Sequence, residues 1–170
     1  MDTTASAQRT RTLTAAVLAL GMAAVVGSAL AFEHIGGYIP CKLCLGQRIP
    51  YYIGAPLMAL AFVSSTLKWP TWLTRALLLA GGLIMVWSLY LGVRHSGVEW
   101  GWWAGPTDCG AVDAPADTGG KGVLDALDAF VPPSCDKAAL RILGLSFAGW
   151  NAVASLFLAA IAFRGALAKS

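Results

Sequence analysis

The sequence predicts an all-α membrane protein: a four-transmembrane-helix bundle with a short amphipathic helix in its long outer loop. Three observations lead there. Only 12% of the 170 residues are charged and 57% are hydrophobic, where a soluble domain carries roughly a quarter charged residues. The mean hydropathy is +0.65. Four apolar segments reach the length of about 20 residues that a spanning helix needs, and no strand-like alternation or internal repeat competes with them. The length fits one domain, residues 1–170.

The first span is expected from Leu13 to Phe32. Arg9 and Arg11 precede it, and it ends in Ala29-Leu30-Ala31, which resembles a signal-peptidase site. A cleavable signal has an apolar stretch of only about 7–15 residues, and this one is longer, so a retained span is the expectation. The second runs from Ile49 to Leu67, the third from Trp72 to Val93 and the fourth from Ile142 to Phe163. Arg75, near the start of the third, can snorkel to the interface. Each segment carries Gly or Ser among Leu, Ala and Val, as membrane helices do.

Four spans place both termini and the connection at Lys68-Trp69-Pro70 on one side, and residues 33–48 and 94–141 on the other. Cations divide six against six between the sides. The first helix usually dominates orientation, and its arginines flank its N-terminal end. The termini are therefore expected in the cytoplasm. The net charge of +3 is small and dispersed, which argues against a nucleic-acid partner.

In the long loop, Trp100, Trp102 and Trp103 form an aromatic cluster suited to the headgroup level. Val123, Leu124, Leu127, Phe130 and Val131 recur at helical spacing, with Asp125 and Asp128 on other faces. That pattern predicts a short amphipathic helix on the membrane, ended by Pro132-Pro133.

All four cysteines, Cys41, Cys44, Cys109 and Cys135, fall on the outer side and none within an expected span. Such confinement points to disulfides rather than reduced cytosolic thiols, with three possible connectivities. The short loop holds Pro40-Cys41-Lys42-Leu43-Cys44-Leu45-Gly46-Gln47-Arg48. Thiol exchange needs a thiolate, and a free cysteine is mostly protonated at neutral pH. Pro50 is well tolerated in a first helical turn, so the second helix is expected to begin near residues 46–49 with Cys44 at its mouth. There the helix N-terminus and the permanent cation of Arg48 would both favour a Cys44 thiolate. Arg48 could instead bind lipid phosphate.

Rival cysteine chemistries fit less well. A structural zinc site wants two close pairs, and Cys109 and Cys135 are 26 positions apart. A c-type haem needs histidine after the second cysteine, where this chain has Leu45. A thioredoxin-like motif needs a βαβ context, which is missing here. Metal transport is disfavoured because no single span carries paired polar residues. No metal is therefore expected. Structural disulfides in a non-enzymatic membrane subunit stay open as the alternative, although a bridge over so short a loop would stabilise little.

Phe32-Glu33-His34, Pro40-Cys41-Lys42-Leu43-Cys44 and Gln47-Arg48 resemble the first outer loop of the disulfide bond formation protein B (DsbB) family, and the four-span topology with a second cysteine pair in the long loop is similar too. The resemblance implies a bacterial inner-membrane thiol–quinone oxidoreductase with periplasmic cysteines. A periplasmic DsbA-like thioredoxin-fold partner would reduce a Cys109–Cys135 disulfide. Electrons would pass to Cys41 and Cys44, and Cys44 beside Arg48 would reduce ubiquinone or menaquinone in the lipid. His95, near the end of the third span, is the implied second quinone-site residue, while interfacial hydrogen bonding accounts for it equally well. His34 reads as interfacial, and Glu33 and Gln47 carry no assigned role.

Overall fold

Four helices make up most of the computed structural model, which describes residues 3–106 and 134–168. They are α1 (Thr3–His34), α2 (Lys42–Thr66), α3 (Thr71–Glu99) and α4 (Phe147–Ala166), with a small antiparallel hairpin, β1 (Arg141–Ile142) and β2 (Leu145–Ser146), ahead of α4. All four helices are long and apolar enough to cross a membrane. The amphipathic helix expected at residues 123–131 lies outside the described residues, as does Cys109.

Two helix starts differ from expectation, for local reasons. α2 begins at Lys42 because Cys41 caps it: its backbone is extended (φ −78°, ψ 169°) and its sulfur accepts the Cys44 N–H, the role a Ser or Asp oxygen plays at other N-caps. Pro50 and Pro56 then lie inside the helix, as membrane helices tolerate when neighbouring groups re-satisfy the backbone. α4 begins at Phe147 rather than near Ile142. The hairpin turns through Leu143 and Gly144, both at positive φ, and Ser146 caps α4 by accepting the Gly149 N–H at 3.2 Å.

Neighbours in the bundle are α1 with α2, α2 with α3, α3 with α4 and α4 with α1, while α1 and α3 stand diagonally and scarcely meet. The centre is filled by Leu18, Met22, Met58, Leu78, Met85 and Leu158. Leu20, Leu83, Trp87 and Phe157 point outward, and Ser64, Thr74, Ser88 and Ser155 are buried. Apolar outside and polar inside is the arrangement a bilayer favours, since lipid tails give helices no hydrophobic reason to associate. Close packing of small residues supplies the attraction instead. A Cβ on Gly92 would lie 2.9 Å from the Ala152 backbone nitrogen, so α3 and α4 touch backbone to backbone there.

At the end of the bundle that holds the termini, Arg11 donates to the Ala168 carbonyl at 2.7 Å and Arg75 to the Ala166 carbonyl at 3.0 Å. These bonds satisfy carbonyls that the end of α4 leaves open. At the opposite end, Trp100, Trp102 and Trp103 pack edge to face, and Trp103 donates to the Arg94 carbonyl at 2.8 Å. That end carries the cysteines.

Candidate functional site

The first loop is held in place by aromatic packing. Phe32 at the end of α1 lies 4.9 Å from Phe147 at the start of α4, and Tyr38 completes the cluster at 6.1 Å from each. The chain then enters α2 with Cys41 as its cap, one turn before Cys44. Both are free thiols, and their sulfurs are 2.9 Å apart.

The two sulfurs face different surroundings. Cys41 is buried with Val98 and Cys135, and its sulfur, the Cys135 sulfur and a ring nitrogen of His95 all lie within 4.8 Å of one another. Cys135 is itself disulfide-bonded, so its sulfur is engaged covalently rather than offered as a metal ligand. The contact is one between a thiol and a disulfide. The Cys44 S–H bond, the His95 ring and the Cys44 backbone N–H hold the Cys41 thiol well below the ordinary thiol range, against the opposing effect of burial. Cys41, as the cap, takes a backbone N–H of the first turn on its own sulfur, because α2 starts one turn earlier than its proline spacing implies.

Cys44 lines a cavity of about 300 Å³ between α1, α2 and α4. Val25, Val26, Phe32 and Ala154 give it apolar walls, and Arg48, Gln47 and Asn151 supply its polar groups. Arg48 forms an ion pair with Glu33, and its other terminal nitrogen donates to the Ala29 carbonyl at 3.4 Å. The side chain, 11% exposed, is thus fixed in the cavity wall by two acceptors on α1. Glu33, unassigned from sequence, is its counter-ion.

His95 sits away from the cavity, beside Cys41, with Nε2 at 3.8 Å from the sulfur. The ring projects from α3 to meet the α2 cap, and His95 is not among the residues lining the Cys44 cavity. The same Nε2 is 3.8 Å from Glu99 Oε1, whose Oε2 has no hydrogen-bond partner among the described residues. Nδ1 is 2.6 Å from the Gln47 amide nitrogen. Beyond Gln47, a buried polar chain crosses the bundle: Asn151 donates to Gln47 Oε1 at 2.6 Å, the Tyr51 hydroxyl donates to Asn151 Oδ1 at 2.5 Å, and Ser155 joins Tyr51 to Ser88.

Sequence reasoning missed this chain because its members lie on three helices, and the contacts that join them run between helices rather than along one. The available signal was Asn151, the only asparagine of the protein, placed in an apolar segment where a polar side chain needs a partner.

No curated protein and no solved structure matches the chain. The family profile described as Disulfide bond formation protein DsbB matches residues 10–164, nearly the whole length, and the chain belongs to that family of membrane oxidoreductases acting in disulfide bond formation.

Proposed function

We propose that the protein is a thiol–quinone oxidoreductase that reoxidises a periplasmic DsbA-type dithiol protein and passes the electrons to ubiquinone or menaquinone. The observation that carries this reading is the division of labour between the two thiols: Cys41 meets the Cys135 disulfide, and Cys44, 2.9 Å from Cys41, lines the cavity that holds Arg48.

The partner's thiolate attacks a Cys109–Cys135 disulfide, forming a mixed disulfide that the partner's second thiolate resolves, leaving Cys109 and Cys135 reduced. One of these thiolates then attacks a Cys41–Cys44 disulfide. A bond between Cys135 and Cys41 forms and Cys44 leaves as thiolate. Attack by the Cys109 thiolate on Cys135 restores the second disulfide and leaves Cys41 and Cys44 reduced, the state described here. The low thiol range of Cys41 suits this exchange, since a stabilised thiolate is a good leaving group.

The cavity fits a quinone head group. Its volume is at the lower end of small-molecule sites, its walls are apolar, and Arg48 in its wall would hold a quinone carbonyl oxygen. When bound, a quinone would supply the capacity for the two electrons and two protons that closing the Cys41–Cys44 disulfide releases. Arg48 would hold and polarise it, and Cys44 lines the same cavity. The same reading places the protein in the bacterial inner membrane, with termini cytoplasmic and cysteines periplasmic.

The test is turnover by the purified protein in detergent, with a reduced DsbA-type protein and a soluble quinone analogue. Quinone absorbance should fall in step with partner oxidation, and Cys44→Ser should abolish both. Unchanged quinone reduction without Cys44 would refute the proposal and return the protein to the reading of a membrane subunit with structural disulfides.

A further inference from the structure

The direction of hydrogen bonding along the buried chain has a consequence for the thiol site, and the argument rests on the thiol–quinone reading of that site. At its far end, Asn151 Oδ1 accepts from the Tyr51 hydroxyl at 2.5 Å, and the Ser155 hydroxyl lies 3.5 Å away. With its oxygen so engaged, Asn151 turns its NH₂ to Gln47 Oε1, at 2.6 Å. An amide that accepts on its oxygen presents its NH₂ on the other side, and the Gln47 NH₂ accordingly faces His95 Nδ1 at 2.6 Å. A ring nitrogen that accepts carries no proton, so the proton of a neutral His95 sits on Nε2. Nε2 is the atom 3.8 Å from the Cys41 sulfur.

We propose that Asn151 is a positioning residue for thiol exchange: acting through Gln47, it holds His95 in the Nε2–H tautomer, so that the ring donates a hydrogen bond to the Cys41 sulfur instead of accepting its proton. His95 is then a fixed donor for the Cys41 thiolate, in the way that a partner on one histidine nitrogen commonly sets the chemistry of the other. The titratable groups facing the ring among the described residues are Cys41 from the cap of α2 and Glu99 from α3, with Cys135 held in its disulfide. Glu99 competes for the same N–H at 3.8 Å, and its second oxygen is the buried acceptor left over near the thiol. The tautomer also disfavours a metal at Cys41, His95 and Cys135, because the ring nitrogen nearest the sulfurs offers a proton rather than a lone pair.

Asn151→Asp removes the NH₂ while keeping the acceptor for Tyr51. Gln47 then turns its own NH₂ towards the introduced carboxylate and its oxygen towards His95, which moves the ring proton to Nδ1. Gln47→Glu should have the same effect by placing an acceptor directly against Nδ1. The readout is the pair of ring nitrogen shifts of ¹⁵N-histidine in detergent-solubilised full-length protein carrying His34→Gln, which leaves His95 as the single histidine. The Nε2–H tautomer is expected in this parent and the Nδ1–H tautomer in both further variants. In parallel, alkylation of Cys41 at pH 6.5, followed by peptide mass spectrometry, should slow roughly tenfold in each, the loss of one hydrogen bond to a charged sulfur. An Nδ1–H tautomer in the parent, or an unmoved tautomer in Asn151→Asp or Gln47→Glu, would overturn the proposal. The nitrogen shifts need no quinone, so loss of quinone turnover with the Nε2–H tautomer intact would count against the thiol–quinone reading alone.

Discussion

At the scale of single residues, the environment of Cys41 makes a pH prediction with a definite sign. Its thiol lies below the ordinary range, so the thiolate persists as pH falls and is lost only below neutrality. An ordinary cysteine, with a pKa near 8.5, would lose about a hundredfold in alkylation rate between pH 8 and pH 6. Cys41 in the reduced protein should change less than about twofold over that interval, measured peptide by peptide with iodoacetamide; a slope like that of a free thiol would contradict the assigned cap geometry. Arg48 makes a second residue-scale prediction. Its two terminal nitrogens serve two acceptors, Glu33 and the Ala29 carbonyl, a forked arrangement that lysine cannot reproduce. Arg48→Ala should raise the apparent KM for quinone roughly tenfold, the loss of one charge-assisted hydrogen bond, with kcat changed less. Arg48→Lys should recover only part of it. An unaltered KM in Arg48→Ala would remove Arg48 from the quinone site.

At the scale of elements, the α3–α4 contact shows what holds a bundle together when lipid replaces water. Gly92 lets the two backbones approach, and a methyl added there meets the Ala152 nitrogen at 2.9 Å and Cα at 3.1 Å. Backbone cannot rotate aside as a side chain does, so Gly92→Ala should force the helices apart and cost about 1–3 kcal/mol, the usual range for overpacking. Gly27 on α1 is the control, since nothing lies within 4 Å of its added Cβ. Gly27→Ala should be neutral or stabilising by up to about 1 kcal/mol through helix propensity. Thermal unfolding in detergent should separate the two, and equal midpoints would show that the close approach carries little of the packing. The same contact sets the register of α3 against α4, which bears on where His95 and Asn151 stand relative to Gln47.

At the scale of the whole molecule, the four helices were legible in the sequence because span length and low charge are properties of continuous segments. The Cys41–Cys44–Arg48 cluster was legible for a related reason: its members lie within two turns of one helix and its cap. What was not legible depends on contacts between segments. The Glu33–Arg48 pair joins α1 to α2, and the Gln47–Asn151–Tyr51 chain spans the bundle between α2 and α4, which are not sequence neighbours. The start of α2 differs from the proline-based expectation because a cysteine sulfur caps the helix at Cys41 and Pro50 is tolerated inside it. Orientation is also a whole-molecule property, and its cation count is balanced. The arginines at the terminal end, Arg11 and Arg75, are tied to carbonyls at the end of α4, and Arg9 and Arg11 flank the N-terminal end of the first span, which usually dominates orientation. Uncompensated positive charge resists translocation, which favours retention of the terminal end in the cytoplasm. A fluorescent protein fused to the C-terminus of the full chain should therefore fluoresce, and alkaline phosphatase fused at the same place should stay inactive, because it needs an oxidising compartment to form its disulfides. An active phosphatase fusion would invert the bundle, put Cys41, Cys44 and Cys135 on the reducing side, and remove the compartment that the proposed electron flow requires.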